Sequence, residues 1–381
     1  MYRNRDSRLK LAYISSSIIP SREANSIHVM KMCQAMARMG HEVTLVAPDV
    51  RKGIEPGISD LYTFYGVDAS FAVRKVPWRP IRGQFWIYGL ESARLVRSLG
   101  VDGAFGRSLH GCAMAVWMGV PTKLETHGPD FLNKPQTNRC FRWMLKASAF
   151  RGLVVHCEAL KQHIVKLVPE SADKIMVAHC AGDALPDELE PADLGCSGKR
   201  LQVGYVGQLF PGKGIEIIRP LAEKAPWADF HIVGGERDIV DSLRKDSLLP
   251  GNIRLHGFVP PSDTAKLSLA FDVLLAPYQP QVITAGGGET AEWMSPLKLF
   301  DYMATGKPIL CSDLPVLREI IQNNRNGLML PDNDSGAWAK ALERLSIDPA
   351  ERNRLGSTAR EDFLARFTWD ARARRVLNGL V

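Results

Sequence analysis

The sequence contains no Cys-x-x-Cys pair and no cysteine–histidine cluster at zinc-finger spacing. It also lacks any uninterrupted apolar run of the roughly 18 residues a membrane-spanning helix requires. The most apolar early stretch, residues 9–19, is broken by Ser15, Ser16 and Ser17 and reads as a buried strand rather than a signal peptide. Seven cysteines (Cys33, Cys112, Cys140, Cys157, Cys180, Cys196 and Cys311) are odd in number and widely spaced, which points to a reducing cytoplasm. Charge of either sign is not in large excess, with 48 Lys+Arg against 41 Asp+Glu. The resulting +7 admits nucleotides, phosphates or a membrane surface as anionic partners without selecting among them. What is present is ordinary globular material: 381 residues, 45% hydrophobic and 23% charged, enough for two cores and incompatible with a disordered or collagen-like chain.

Short apolar runs alternate with helical patterns through the first half, at 9–14, 43–47, 104–105, 122–124, 153–155 and 175–177. Runs of that kind suit parallel strands buried on both faces. Residues 27–39 carry a helical pattern that ends at Gly40, giving a βαβ opening. The second half repeats the theme at 201–206, 230–233, 253–255, 273–276, 309–311 and 328–330. Two parallel-sheet domains are therefore expected. Residues 180–200, rich in Gly, Pro, Asp and Glu, read as the linker, with the boundary near Gly182. The short basic helix pattern from Trp369 onward needs a surface to dock on.

Gly207-Gln208-Leu209-Phe210-Pro211-Gly212-Lys213-Gly214 follows a strand and precedes a helix. It nearly spells a P-loop, but Gly214 stands where the magnesium-binding Ser or Thr belongs, which argues against an NTPase. A glycine-rich turn at a helix N-terminus with a lysine still suits phosphate. The segment from Ser295 to Pro308 opens with Ser as expected N-cap and Pro at the first helical position, a second anion-binding helix start. Asp301, further along, is able to accept from the paired hydroxyls of a ribose, or is simply a solvent-facing acid. Asp332-Asn333-Asp334 precedes a helical pattern and reads as a cap before it reads as a metal site. Residues 74–86 and 139–146 interleave Arg and Lys with Trp and Phe, fitting either a peripheral membrane face or ordinary solvated helices. No recognised nucleic-acid module accompanies them.

Several of these motifs, taken in order, resemble one family. Gly207 to Gly214, Phe230-His231-Ile232-Val233-Gly234-Gly235-Glu236, His256-Gly257-Phe258-Val259 and Ser295 to Pro308 are similar to the family 4 glycosyltransferases of GT-B type. The opening segment 19–29, Gly40-His41-Glu42-Val43 and Glu125-Thr126-His127-Gly128-Pro129-Asp130 match the same family. The resemblance implies an α/β fold of two Rossmann-like doubly wound domains facing a deep cleft. Residues 1–182 would bind the acceptor and 183–368 the nucleotide-sugar, with 369–381 packing back on the first domain.

By the same resemblance, Lys213 would neutralise the departing diphosphate, with Gly212, Gly214 and the helix start at Ser295, Leu297 and Lys298 assisting. Asp301 would hold the ribose, and Phe258 and Val259 would border the base. Ala24 and Asn25 would form a loop closing over the phosphates, and His127 would lie near the donor sugar. Arg107 is a further candidate. The implied reaction is transfer with retention of anomeric configuration to a glycan or lipid-linked acceptor, without metal or other cofactor. The implied setting is the cytoplasm or the inner membrane face, in cell-surface polysaccharide or glycolipid synthesis.

The sequence departs from the family pattern at three points. Trp293 stands where the first of two glutamates belongs, Asp301 replaces the second, and Gln208 occupies a position where Arg is common. Glu289 and Glu292 lie close enough in sequence for either to contact the sugar. A sugar-nucleotide-binding homologue without activity and an epimerase on the same frame remain the alternatives.

Overall fold

The structure is a computed structural model that describes residues 8–50, 52–195, 200–282 and 291–381. The chain forms two compact units, one made of Met1–His179 with Trp369–Val381 and the other of Cys180–Thr368. The break thus falls just before the expected boundary at Gly182. Backbone bonding explains the difference: the Cys180 N–H donates to Ser295 Oγ at 3.1 Å and the Gly182 N–H to the Phe367 carbonyl at 3.0 Å. Both residues are therefore tied into the second unit.

In the first unit the strands are β1 (Lys10–Ile14), β2 (Glu42–Asp49), β3 (Ala72–Pro77), β4 (Gly103–Gly106), β5 (Thr122–Thr126), β6 (Phe150–Val155) and β7 (Ile175–Val177). Among the described residues they form a parallel sheet in the order β3-β2-β1-β4-β5-β6-β7. The apolar runs read from sequence supply every strand but one. The exception, β3, carries Arg74 and Lys75 and lies at the sheet edge, where charged residues are tolerated and discourage pairing with another chain. The helix Gln84–Ser98 follows, with Trp78 set edge-on against Phe85 and Tyr88, so part of the first basic–aromatic segment is packed. The helix Trp369–Leu377 belongs to this unit. Lys123 Nζ donates to the Val376 carbonyl at 3.1 Å and to that of Asn378.

In the second unit β8 (Leu201–Val206), β9 (Ala228–Val233), β10 (Ile253–Gly257), β11 (Val273–Ala276), β12 (Ile309–Ser312) and β13 (Leu328–Leu330) run parallel in the order β10-β9-β8-β11-β12-β13. Its core joins Val203, Tyr205, Phe230 and Ile232 to Ile218 and Leu221 of the helix Ile215–Lys224 and to Trp338 and Leu342 of the helix Ser335–Ile347. Asp334 Oδ1 accepts from the Gly336 and Ala337 N–H groups, the capping role expected for that acid. In each sheet the strand order reverses beside the first strand, between β1 and β4 and between β8 and β11. Ligands of open parallel sheets bind outside the strand carboxyl ends at such reversals, which directs attention to the loops after β4, β5, β8 and β11.

Candidate functional site

The loop after β8 leads into the helix Ile215–Lys224 through a turn that admits only glycine at two places. Gly212 has φ +81° and a Cβ there would lie 1.9 Å from the Gln281 carbonyl oxygen; Gly214 has φ +125° and its Cβ would meet Pro277 Cγ at 2.4 Å. The amides of this turn are not free for phosphate, contrary to the expectation from sequence. Glu216 accepts from the Gly212 N–H at 2.7 Å and the Gly214 N–H at 3.1 Å. Glu216 sits two residues into the helix, where its negative charge suits the positive helix end.

Two lysines lie beside this turn, over aromatic rings. Lys213 Nζ lies 5.5 Å from the centre of the Tyr278 ring, and burial lowers its pKa. Lys298, on the first turn of the helix Leu297–Thr305, reaches over Tyr205 at 3.8 Å and Tyr278 at 5.0 Å. A Cβ on Gly207 would come within 2.8 Å of its ammonium nitrogen, so glycine at 207 keeps that space open. Lys298 Nζ is shielded from solvent and has no hydrogen-bond partner among the described residues. Burial, reinforced by the charge of Lys213, pushes its pKa well down. Two lysine side chains therefore lie over one aromatic ring, with no carboxylate bonded to either among the described residues. Aromatic faces recover part of the lost hydration, and an anion would recover much more.

The other residues expected around this site are distributed as follows. Pro296, not Ser295, occupies the cap position of the helix Leu297–Thr305 and supplies no side-chain cap. The buried Ser295 hydroxyl instead accepts from the Cys180 N–H, which leaves the amides at Leu297 and Lys298 uncapped. Asp301 is exposed on the same helix, and a Cβ on Gly182 would lie 3.3 Å from its Oδ1. Phe258 is exposed after β10 and borders a hollow of about 270 Å³ with Arg237, Arg244 and His256, while Val259 is half-buried. Glu289 lies outside the described residues. Glu292 is exposed in the short turn Ala291–Trp293.

A second constellation lies in the first unit, around a cavity of about 400 Å³ lined by Arg107, Glu125, Thr126, His127 and Asp130. Glu125 is the penultimate residue of β5 and is buried. Its Oε1 accepts from Arg372 Nη2 at 2.7 Å, is bonded to His127 Nε2 at 2.7 Å and lies 3.1 Å from His28 Nε2. The His127 ring stacks on His156 with centroids 4.5 Å apart. His28 lies edge-on to both His127 and Trp369.

Burial alone would raise the Glu125 carboxyl, but Arg372 and the neighbouring imidazoles outweigh it and hold the group well below the ordinary range. The histidines move the other way. Burial, with help from the Arg107 charge, pushes His127 down to about 3. Burial lowers His28 to about 4 against the opposing pull of Glu125, and His156 also falls well below its ordinary value. The carboxylate is thus ionised, Arg372 neutralises it, and the imidazoles are neutral at physiological pH.

Asn25 departs from its expected place: Ala24 and Asn25 form the first turn of the helix Ala24–Arg38 rather than a loop. Asn25 Oδ1 is buried without a partner. Glu125, His28 and Arg372 were not singled out from sequence as site residues. Glu125 carried a signal as an acid in a short strand beside His127.

Comparison with known proteins fits this geometry. The model of Glycosyltransferase Family 4 matches residues 26–184, and that of Glycosyl transferases group 1 matches residues 187–362. The chain belongs to the family 4 glycosyltransferases. A GDP-mannose-dependent alpha-mannosyltransferase of Mycolicibacterium smegmatis is 25% identical over 95% of this chain and 94% of its own length. Among solved structures, HepE of Anabaena in complex with UDP aligns at a TM-score of 0.72, with 16% identity, over 98% of this chain and 99% of its own. Sucrose-phosphate synthase of Thermosynechococcus elongatus aligns at 0.67, also with 16% identity, over 97% and 98%. These structural likenesses establish the GT-B fold, with its two Rossmann-like sheets.

Proposed function

We propose that this glycosyltransferase moves a sugar from a nucleoside-diphosphate sugar to a glycan or lipid-linked acceptor, with retention of anomeric configuration. The observation that carries this reading is the pair Lys213 and Lys298, two lysines over the Tyr278 ring, the second buried with no hydrogen-bond partner among the described residues. A diphosphate is an anion of the right charge to answer both. As the bond to the sugar breaks, negative charge grows on the leaving phosphate, and cations fixed in advance stabilise that state more than the intact donor.

In this reading the departing phosphate takes the proton of the acceptor hydroxyl, so no protein nucleophile and no metal is required. Asp301 holds the ribose, Phe258 and Val259 border the base, and neutral His127 accepts a hydrogen bond from a sugar hydroxyl. The relatives' dependence on GDP-mannose in one case and complex with UDP in another support a nucleotide-linked donor. No described helix is long and apolar enough to cross a membrane. We place the enzyme in the cytoplasm, working on cell-surface polysaccharide or glycolipid.

The test begins with thermal stabilisation by UDP, GDP and ADP, with and without magnesium, followed by the matching sugar donors and NMR of the product anomer. A metal-independent shift with one diphosphate, followed by an unchanged anomeric configuration, is the expected result. Absence of any shift would defeat the donor assignment, and an inverted product would defeat retention.

A further inference from the structure

The contact between the helix Trp369–Leu377 and β5 puts one arginine in charge of a histidine. We propose that Arg372 is a positioning residue for sugar transfer. Through Glu125 it holds His127 as a neutral imidazole, protonated on Nε2 and presenting a bare Nδ1 to a sugar hydroxyl. The inference rests on the assignment of His127 to the sugar site made above.

The argument is one of charge and of hydrogen-bond direction. Ionised Glu125 only accepts hydrogen bonds, so the His127 nitrogen bonded to it at 2.7 Å must carry the proton. That leaves Nδ1 deprotonated, and His127 lines the cavity of about 400 Å³. A neutral imidazole in this tautomer is an acceptor for a hydroxyl hydrogen; an imidazolium would be a second donor and would turn the same hydroxyl away.

What decides between the two states is whether the buried carboxylate already has a cation. Arg372 supplies one, with its Nη2 2.7 Å from Oε1 and its Nε donating to the His179 carbonyl at 2.8 Å. Its Nη1 lies 3.4 Å from Met32 Sδ on the helix Ala24–Arg38. Fixed on three sides, the guanidinium cannot leave the carboxylate without losing these contacts. Arginine also stays charged across the accessible pH range.

The groups facing His127 all act in one balance. Arg107 after β4, His28 on the helix Ala24–Arg38 and Arg372 oppose protonation within the histidine cluster, which includes His156 after β6, while Glu125 favours it. Asp130 lines the same cavity. Without Arg372 the carboxylate would be left with imidazoles alone, and one of them would take a proton to neutralise it.

The experiment uses the full-length protein with ¹⁵N-labelled histidine, comparing wild type, Arg372→Met and the double variant Arg372→Met/Glu125→Gln. In wild type the His127 ring should read as the neutral Nε2-protonated tautomer from pH 8 down to about pH 5. In Arg372→Met its titration should move up to about 6.5 or beyond, and the acid limb of the turnover–pH profile should move with it. The double variant, with both charges gone, guards against a single variant that fails to fold and should return His127 to the neutral form.

An Arg372→Met protein whose His127 titration and tautomer match wild type would overturn the proposal, since a merely structural arginine would leave the ring unchanged. If that variant does not fold, a double variant whose His127 is protonated near neutral pH overturns the proposal, because the charge balance requires a neutral ring once both charges are gone. Failure of the underlying assignment is separately visible: His127→Ala would then keep wild-type turnover whatever the NMR shows.

Discussion

Lowering the pH from 7.5 to 5.5 should destabilise the first unit by about 3 kcal/mol from His28 and His127 alone. Both are neutral within the fold, with pKa values pushed down to about 4 and about 3 from an ordinary 6.5. The sign follows from proton counts. As pH falls through 6.5 the unfolded chain takes up a proton at each histidine, whereas the folded chain takes none until about 4 or about 3. Stability is therefore complete above the unfolded value and declines as pH falls toward the folded one.

At pH 5.5, one unit below the unfolded value, each histidine costs about 1 to 2 kcal/mol. His156, whose pKa falls in the same direction, adds to the loss. Glu125 adds nothing in this window, because its carboxyl is depressed in the fold and ordinary in the unfolded chain, so both states are ionised. A loss of this size is a large fraction of the about 5–15 kcal/mol that stabilises a typical domain. Urea titrations read by hydrogen exchange in β5 peptides would report on the first unit alone, and His127→Asn should remove about half of the pH effect. Equal unfolding free energies at the two pH values would mean that the cluster is already protonated in the fold, and the charge balance described for it would be wrong.

Four further variants address the second unit and the cavity. Lys298→Met should raise the melting temperature of the ligand-free protein while weakening UDP or GDP binding by about 10- to 100-fold in calorimetry. Lys213→Ala should weaken diphosphate binding by about 10-fold or more, and His127→Ala should lower kcat with less effect on nucleotide affinity; an unchanged diphosphate affinity in the first would remove Lys213 from the phosphate site. Gly356→Ala would bring a Cβ within 1.9 Å of the Gly306 carbonyl oxygen, and chemical denaturation should show a loss of about 1–3 kcal/mol.

Much of the frame was legible because parallel strands buried on both faces leave plain apolar runs, as at β1, β8 and β11. The strand β3 was not, because an edge position lets Arg74 and Lys75 interrupt the run. The Ser-Pro start at 295 followed the usual capping preference, yet the Ser295 hydroxyl is drawn to the Cys180 N–H, a partner 115 residues away. Lys213, proposed above for phosphate, was readable from the glycine-rich motif; the occupation of the loop amides by Glu216 was not, since it depends on the turn of the helix. Arg372 meets Glu125 across 247 residues of sequence, and in the one-dimensional chain it is simply another basic residue on a basic helix.

The place of the helix Trp369–Leu377 also bears on how the chain assembles during synthesis. Everything in Cys180–Thr368 emerges from the ribosome before Arg372 does, so the second unit has all its own residues available while the first still lacks the cation that its buried Glu125 requires. The portion made first is thus the portion completed last. Until then a nascent Met1–His179 holds a carboxylate among imidazoles with no guanidinium, which makes early release or truncation ahead of Trp369 a route to a protein whose later-made half is the better folded one.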